Sequence, residues 1–258
     1  MVFQKGGFMY TIINRTYSKV GELLKKEISQ GVYKIGDKLP TEREISERLG
    51  ISRTIVREAI VMLEVEKLVE VKKGSGVYVI NTPGNIKGDD KFALPDVGPF
   101  ELLQARQLVE SSVAEFAAQM ATKRDIQNLK EILIEEKEML SKNIDDYTAD
   151  RNFHLALAEI TQNDVLIKFQ EQLWEYRFNS AMWAQLHTRI LEKNYHHLWL
   201  KDHHEIFVGI QKKNGLLARQ AMWQHLENVK QKLFELSDVE DPNFDGYLFN
   251  VAPMGIKT

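Results

Sequence analysis

Asp150 and His154 stand four residues apart, a spacing that sets a carboxylate and an imidazole on one face of a helix, where both can close on a single ion. Two further imidazoles, His203 and His225, fall on later helical stretches. Three imidazoles and one carboxylate from three helices can bind a first-row divalent metal and leave positions open for water or the oxygens of a ligand. The same residues also allow a plainer arrangement. A histidine beside Phe153 and Leu157 fits a satisfied buried side chain, and His203-His204 next to Lys201 and Asp202 fits a solvated surface run. A second constellation is basic. Arg53 and Arg57 are four apart at the start of a short helix, with Thr54 between them, Arg43 upstream, and Lys72, Lys73 and Gly74 downstream. Guanidinium groups at the N-terminal end of such a helix can contact guanine edges or phosphates in a major groove. Glu58 offers Arg57 an ordinary ion pair instead.

The elements that must carry the basic group are legible in residues 39–79. Thr41 with Glu44 three residues later forms a capping box, which satisfies two N–H groups at a helix start. Ile45 and Leu49 give that helix an apolar stripe, and Gly50 supplies a left-handed stop. Ser52 is the N-cap of the next helix. Its Val56, Ala59, Ile60 and Leu63 recur at helical spacing and face a core, which leaves Arg53, Thr54 and Arg57 on another side. Val69/Val71 and Val77/Val79 alternate as two half-buried strands around a Lys73-Gly74-Ser75-Gly76 turn. Two short helices followed by a basic hairpin make a winged helix-turn-helix. A helix over 17–30, with Val20, Leu23, Leu24 and Ile28 on one face and Gly31 as its stop, precedes them.

The metal candidates belong to a different region. After Pro99 the sequence reads as helices over about 100–120, 123–141, 146–161, 164–187, 190–212 and 216–236, with no strand alternation of any length. The expected fold is therefore mainly α: a winged helix-turn-helix at 16–81, a linker at 82–99 that holds three of the six prolines, and an all-α bundle at 100–240. An extension over 1–15 and a tail over 241–258 flank them. Charge divides along the same line. Residues 1–81 hold 14 Lys and Arg against 10 Asp and Glu, and the rest of the chain holds 20 against 27. The net charge of −3 thus conceals a basic first domain suited to a polyanion and an acidic bundle that keeps off phosphates. Cysteine is absent, which excludes a disulfide framework and thiolate metal sites and fits a cytoplasmic home. No apolar run is long enough to span a bilayer, and no signal-peptide pattern opens the sequence.

With these motifs in place, residues 17–80 resemble the DNA-binding domain of the GntR family. The likeness rests on Leu39-Pro40-Thr41-Glu42-Arg43 and on the run from Ser52 to Ala59. It implies that Arg43, Ser52, Arg53, Thr54 and Arg57 contact DNA, with Lys73 and Gly74 in the wing. The helical half resembles the FCD domain of the FadR-type branch. That resemblance implies a metal held by Asp150, His154, His203 and His225, with His204 as the rival for the third position. Zinc is the expected ion, with nickel or manganese as substitutes. Within the branch, segments 98–111, 221–230 and 245–250 are similar to the hexuronate-utilisation repressors, which control uptake and breakdown of glucuronate and galacturonate. The likeness is less complete over 130–150 and 185–200.

The resemblance implies a homodimeric repressor on a palindromic duplex operator, released by a small sugar-acid effector. Arg106, on the first helix of the bundle, is the candidate partner for the effector's carboxylate, since arginine binds carboxylates in a bidentate fork. An ion pair to Glu110, four residues on, is its structural alternative. Two other functions stay open: a metal-dependent enzyme acting on a sugar acid, and a regulator of a different carboxylate pathway. The sequence contains no zincin-type helix motif, nucleophile elbow or phosphate-binding glycine loop, and a basic winged helix has no evident use in an enzyme.

Overall fold

A computed structural model describes residues 17–72, 74–83, 97–142, 147–187 and 195–237. Lys73, the 1–15 extension, most of the 82–99 linker and the 241–258 tail lie outside the described residues. The chain divides into two compact units.

The first unit is built on helices α1 (Tyr17–Ser29), α2 (Glu42–Leu49) and α3 (Arg53–Val65) and strands β1 (Val69–Lys72) and β2 (Gly76–Val79). Both expected caps are present. The Thr41 hydroxyl accepts from the Glu44 N–H and the Glu44 carboxylate accepts from the Thr41 N–H, while Ser52 Oγ accepts from the Ile55 N–H. Gly50 closes α2 at φ 63°, a left-handed conformation that glycine adopts without Cβ strain. Val20, Leu24 and Ile28 of α1 bury against α3, whose Val56, Ala59, Ile60 and Leu63 are also buried. Gly21 lets α1 come close: a Cβ there would lie 2.0 Å from the Met62 methyl. The hairpin is antiparallel with Val69 opposite Val79, and Lys38 adds an isolated bridge to Tyr78.

The second unit comprises α4 (Pro99–Met120), α5 (Lys123–Ser141), α6 (Thr148–Ile160), α7 (Asp164–Asn179), α8 (Ala181–His187), α9 (Tyr195–Gln211) and α10 (Gly215–Ser237). Helix α4 is central and packs on α6, α7, α9 and α10, with Phe100 stacked on Phe234 at 4.3 Å. The single helix expected over 164–187 is instead two. Ser180 leaves the helical region at φ −77°, ψ 114°, and its Oγ accepts from the Trp183 N–H. The serine thus serves as an N-cap in mid-pattern. Helices α9 and α10 approach closely at Gly209, where a Cβ would lie 2.6 Å from the Ala218 backbone nitrogen. That contact lies between His203 and His225 along the chain. Among the described residues, no helix is long and apolar enough to cross a membrane.

Candidate functional site

Helix α6 delivers Asp150 in its first turn and His154 one turn later, α9 delivers His203 and α10 delivers His225. One ligating atom from each of the four falls within 4.8 Å of the others. Asp150 Oδ1 lies 3.4 Å from His154 Nε2 and 3.5 Å from His203 Nε2. Ligands bound at 2.0–2.2 Å around a tetrahedral ion are separated by about 3.4 Å, so the two Asp150 separations match a coordination sphere and the set as a whole lies near one. The three rings are buried, and their centroids are 4.6 to 5.3 Å apart. His203, not its neighbour His204, joins the group: His203 is fully buried and His204 is exposed.

Each histidine has a carboxylate near Nδ1, but only that of His203 makes a hydrogen bond there; the Nδ1 atoms of His154 and His225 have none among the described residues. Glu110 Oε2 of α4 lies 2.5 Å from His154, both Glu136 oxygens of α5 lie 2.9 and 3.0 Å from His203, and Asp202 Oδ2 of α9 lies 3.5 Å from His225. At His203 the Glu136 carboxylate fixes the ring tautomer and leaves Nε2 basic and available to a metal. For His154 and His203 that Nε2 is buried and has no hydrogen-bond partner. Buried orphan acceptors at metal-ligand spacing are what a missing cation would satisfy, and the donor set of nitrogen and oxygen suits zinc or a similar first-row ion.

Opposing electrostatic effects meet here. Burial alone would raise the Glu110 carboxyl, but the Arg106 guanidinium and the His154 ring overrule it and hold it well below the usual range. Asp150 is likewise pushed down against its burial, by His154, Arg177 and His203. His154 is raised: burial works against its proton, yet Glu110 and Asp150 together outweigh it. His225 goes the other way, down to about 3, because burial and the neighbouring His203 both disfavour a proton.

Arg106 is buried and makes the ion pair to Glu110, with Nε 2.6 Å from Oε1. It therefore sits one carboxylate away from His154, with its guanidinium 4.6 Å from the Trp174 ring. A second buried arginine, Arg177 of α7, reaches Asp150 Oδ2 at 3.7 Å and lies over Tyr147, Trp174 and Trp183. Sequence reasoning did not find Arg177, Trp174 or Glu136 as site residues. Their spacing to the ligands runs through tertiary contacts, and in sequence each sits in a stretch that reads as an ordinary amphipathic helix.

The DNA-binding candidates are placed as follows. Arg43 on α2 is exposed, its side chain 72% accessible and 4.0 Å from Glu47. Arg53 opens α3 and is half-buried, and Gly74 is exposed at the hairpin turn with φ 73°. Ser52 serves as the α3 cap. Thr54 and Arg57 lie inside the unit, in contrast to the outward face expected from their spacing. The reason is Glu42, which the first turn of α2 presents to α3. Arg57 Nε and Nη2 grip its carboxylate at 2.9 and 2.6 Å, with Arg57 only 1% exposed.

A winged helix-turn-helix on the same chain as a bundle with a candidate metal cluster is the build of a ligand-responsive DNA-binding regulator. The chain belongs to the GntR family of bacterial regulatory proteins and carries an FCD domain, matched over residues 16–79 and 101–228 respectively. It is 74% identical to the Uxu operon regulator of Haemophilus influenzae, over 95% of this chain and 92% of that protein. It is 46% identical to the Uxu operon transcriptional regulator of Escherichia coli K12, over 95% and 96%, and 44% identical to the Exu regulon transcriptional regulator of the same strain, over 93% of each. These relatives are transcriptional regulators, and the metal-dependent enzyme reading gives way to that function.

Proposed function

We propose that this regulator is a cytoplasmic homodimeric repressor of hexuronate catabolism genes, bound to a palindromic operator and released by a sugar acid held at the Asp150/His154/His203/His225 centre. The likeness of segments 98–111, 221–230 and 245–250 to hexuronate-utilisation repressors supports it. The match along nearly the whole chain to regulators named for the Uxu operon and the Exu regulon carries it.

The DNA half reads sequence through Arg53 and positions itself through Arg43, Ser52, Lys73 and Gly74, while the buried Thr54 serves the packing of α3. A base contact by Arg57 requires its Glu42 pair to share or open, so Arg57 acts first by fixing α2 against α3. A palindromic site needs two such units related by a two-fold axis. In the bundle, a divalent ion would be held by the four ligands and would supply Lewis acidity toward the effector's oxygens. Arg106 would pair with the effector carboxylate, trading part of its bond to Glu110. Release then follows by population shift. The effector must favour a dimer geometry that does not fit the operator, by a coupling of about 1–3 kcal/mol.

Calorimetry with glucuronate, galacturonate and fructuronate against the parent neutral sugars tests the reading, with and without prior chelation. The acids should bind, the neutral sugars should not, and chelation should weaken binding. Arg106→Ala should lower affinity for the acid while metal content is retained. A regulator that binds acid and neutral sugar alike, or binds independently of metal, is not the sensor described.

A further inference from the structure

Helix α7 carries three residues on one face, Gln170, Trp174 and Arg177, at the i, i+4 and i+7 spacing that aligns side chains along a helix. Two of the three touch the metal centre: the Trp174 ring is 5.3 Å from His154, and Arg177 is 3.7 Å from Asp150. All three are buried, Gln170 and Trp174 completely. Gln170 has no hydrogen-bond partner for either its amide nitrogen or its amide oxygen, and the Trp174 indole N–H has none. Buried polar side chains are almost always paired, by protein, water or ligand. A fully buried glutamine with both ends idle, one turn from a tryptophan whose N–H is also idle, departs from that rule at the edge of a candidate ligand site. No hydrogen bond among the described residues of the bundle accounts for the Gln170 amide: an apolar side chain of equal size would pack there without the desolvation penalty.

The geometry points to the Gln170–Trp174–Arg177 face as the wall that reads the hydroxyl groups of the effector, selecting a polyhydroxylated acid over a short hydroxy acid. This rests on the effector reading above and adds a specificity determinant to it. A carboxamide offers an acceptor and two donors in one plane, which matches a vicinal diol: one hydroxyl donates to Oε1 and its neighbour accepts from Nε2. The Trp174 N–H donates to a further hydroxyl oxygen, and its ring presents an apolar surface to the C–H face of a carbon chain. Arg177, tied to the metal ligand Asp150, sets this wall at a fixed distance from the metal. A site built to hydrogen-bond hydroxyls rejects an analogue lacking them, because its own buried groups are then left unpaired.

Gln170→Met and Trp174→Phe test this: the first keeps volume and removes both hydrogen-bonding ends, and the second keeps an aromatic ring while removing the N–H and part of the indole's volume. The probes are glucuronate, galacturonate and glycolate, which has a carboxylate and a single hydroxyl. Each is titrated by calorimetry into the full-length metal-loaded protein, with metal content measured by elemental analysis and thermal stability in the absence of effector. The expected result for Gln170→Met is about a tenfold loss for the uronates, the scale of one net hydrogen bond. Glycolate, which wild type should bind far more weakly than the uronates and without using the Gln170 wall, should lose nothing further; metal content should hold, and stability without effector should hold or rise. Trp174→Phe should lose several-fold in the same selective way. Unchanged uronate affinity in both variants overturns the inference while the effector reading stands. Equal loss for uronates and glycolate also overturns it, because the residues would then support the fold or the metal. If wild-type protein binds neither uronate, the effector reading falls and this inference with it.

Discussion

Replacing Glu136 isolates what the buried carboxylates contribute to the metal centre, because among the described residues its polar contact with the site is His203. Both carboxylate oxygens lie within 3.0 Å of His203 Nδ1, and the histidine is fully buried. In Glu136→Gln the amide oxygen can still accept from the Nδ1–H, so the tautomer and ring orientation persist, but the charge is gone. Charge-assisted hydrogen bonds contribute about 1.5–3 kcal/mol against about 0.5–1.5 for neutral ones. The difference of about 1.4 kcal/mol corresponds to about tenfold in metal affinity. Glu136→Ala goes further. It leaves a buried N–H without a partner, a penalty of about 1–3 kcal/mol, and frees the ring to rotate, so the loss should approach about a hundredfold, the upper range for such supporting residues. Competition with a chromophoric zinc chelator measures both constants on one scale, and circular dichroism confirms that the bundle is folded. Equal zinc affinity in wild type and Glu136→Ala would refute the argument that these carboxylates orient and strengthen the ligands. Equal loss in Gln and Ala would show that charge alone matters and orientation does not.

His225→Ala should lose the ion while His204→Ala keeps it, since only the former belongs to the buried cluster; elemental analysis of the two purified variants decides. Metal affinity should fall as pH drops through the His154 titration, which lies above the ordinary histidine value, because its proton, favoured by Glu110 and Asp150, competes with the cation. His225, lowered to about 3, adds no proton competition near neutral pH; a chelator titration across the pH range follows the loss, and an affinity that does not fall with acidification would refute the competition. Arg53→Ala should weaken operator binding by about 1–3 kcal/mol in a gel shift with little change in melting temperature. Arg57→Ala should instead destabilise the first unit by about 3 kcal/mol, the low end for a broken buried pair because Glu42 is 15% exposed. A stable Arg57→Ala unit would show that its bond to Glu42 does not hold α2 on α3.

The caps, the helix spacing and the hairpin were legible in residue order because they are local. Thr41 reaches only to Glu44, Ser52 only to Ile55, and Val69 meets Val79 through a short turn. The Asp150/His154 pair is local in the same sense, one helical turn. Its extension to His203 and His225 came from a resemblance, since spacing alone left the surface-run alternative for His203-His204 open. Tertiary structure chose between the two. In the bundle His203 lies on the face of α9 that Ile206 and Ile210 bury, and His204 is exposed beside it. The same holds for every supporting group. Glu110, Glu136 and Asp202 reach the histidines from three helices, and no periodicity marks a buried carboxylate as different from a solvated one. Arg57 shows the converse: its four-residue spacing from Arg53 suggested a shared outward face, and a carboxylate on another helix turned it inward. Sequence alone determined what interacts within a turn or a hairpin, where chain connectivity brings the groups together. Which charges are buried and paired depended on packing between helices far apart in the chain, where the low dielectric makes an unmatched charge costly and so selects the partners.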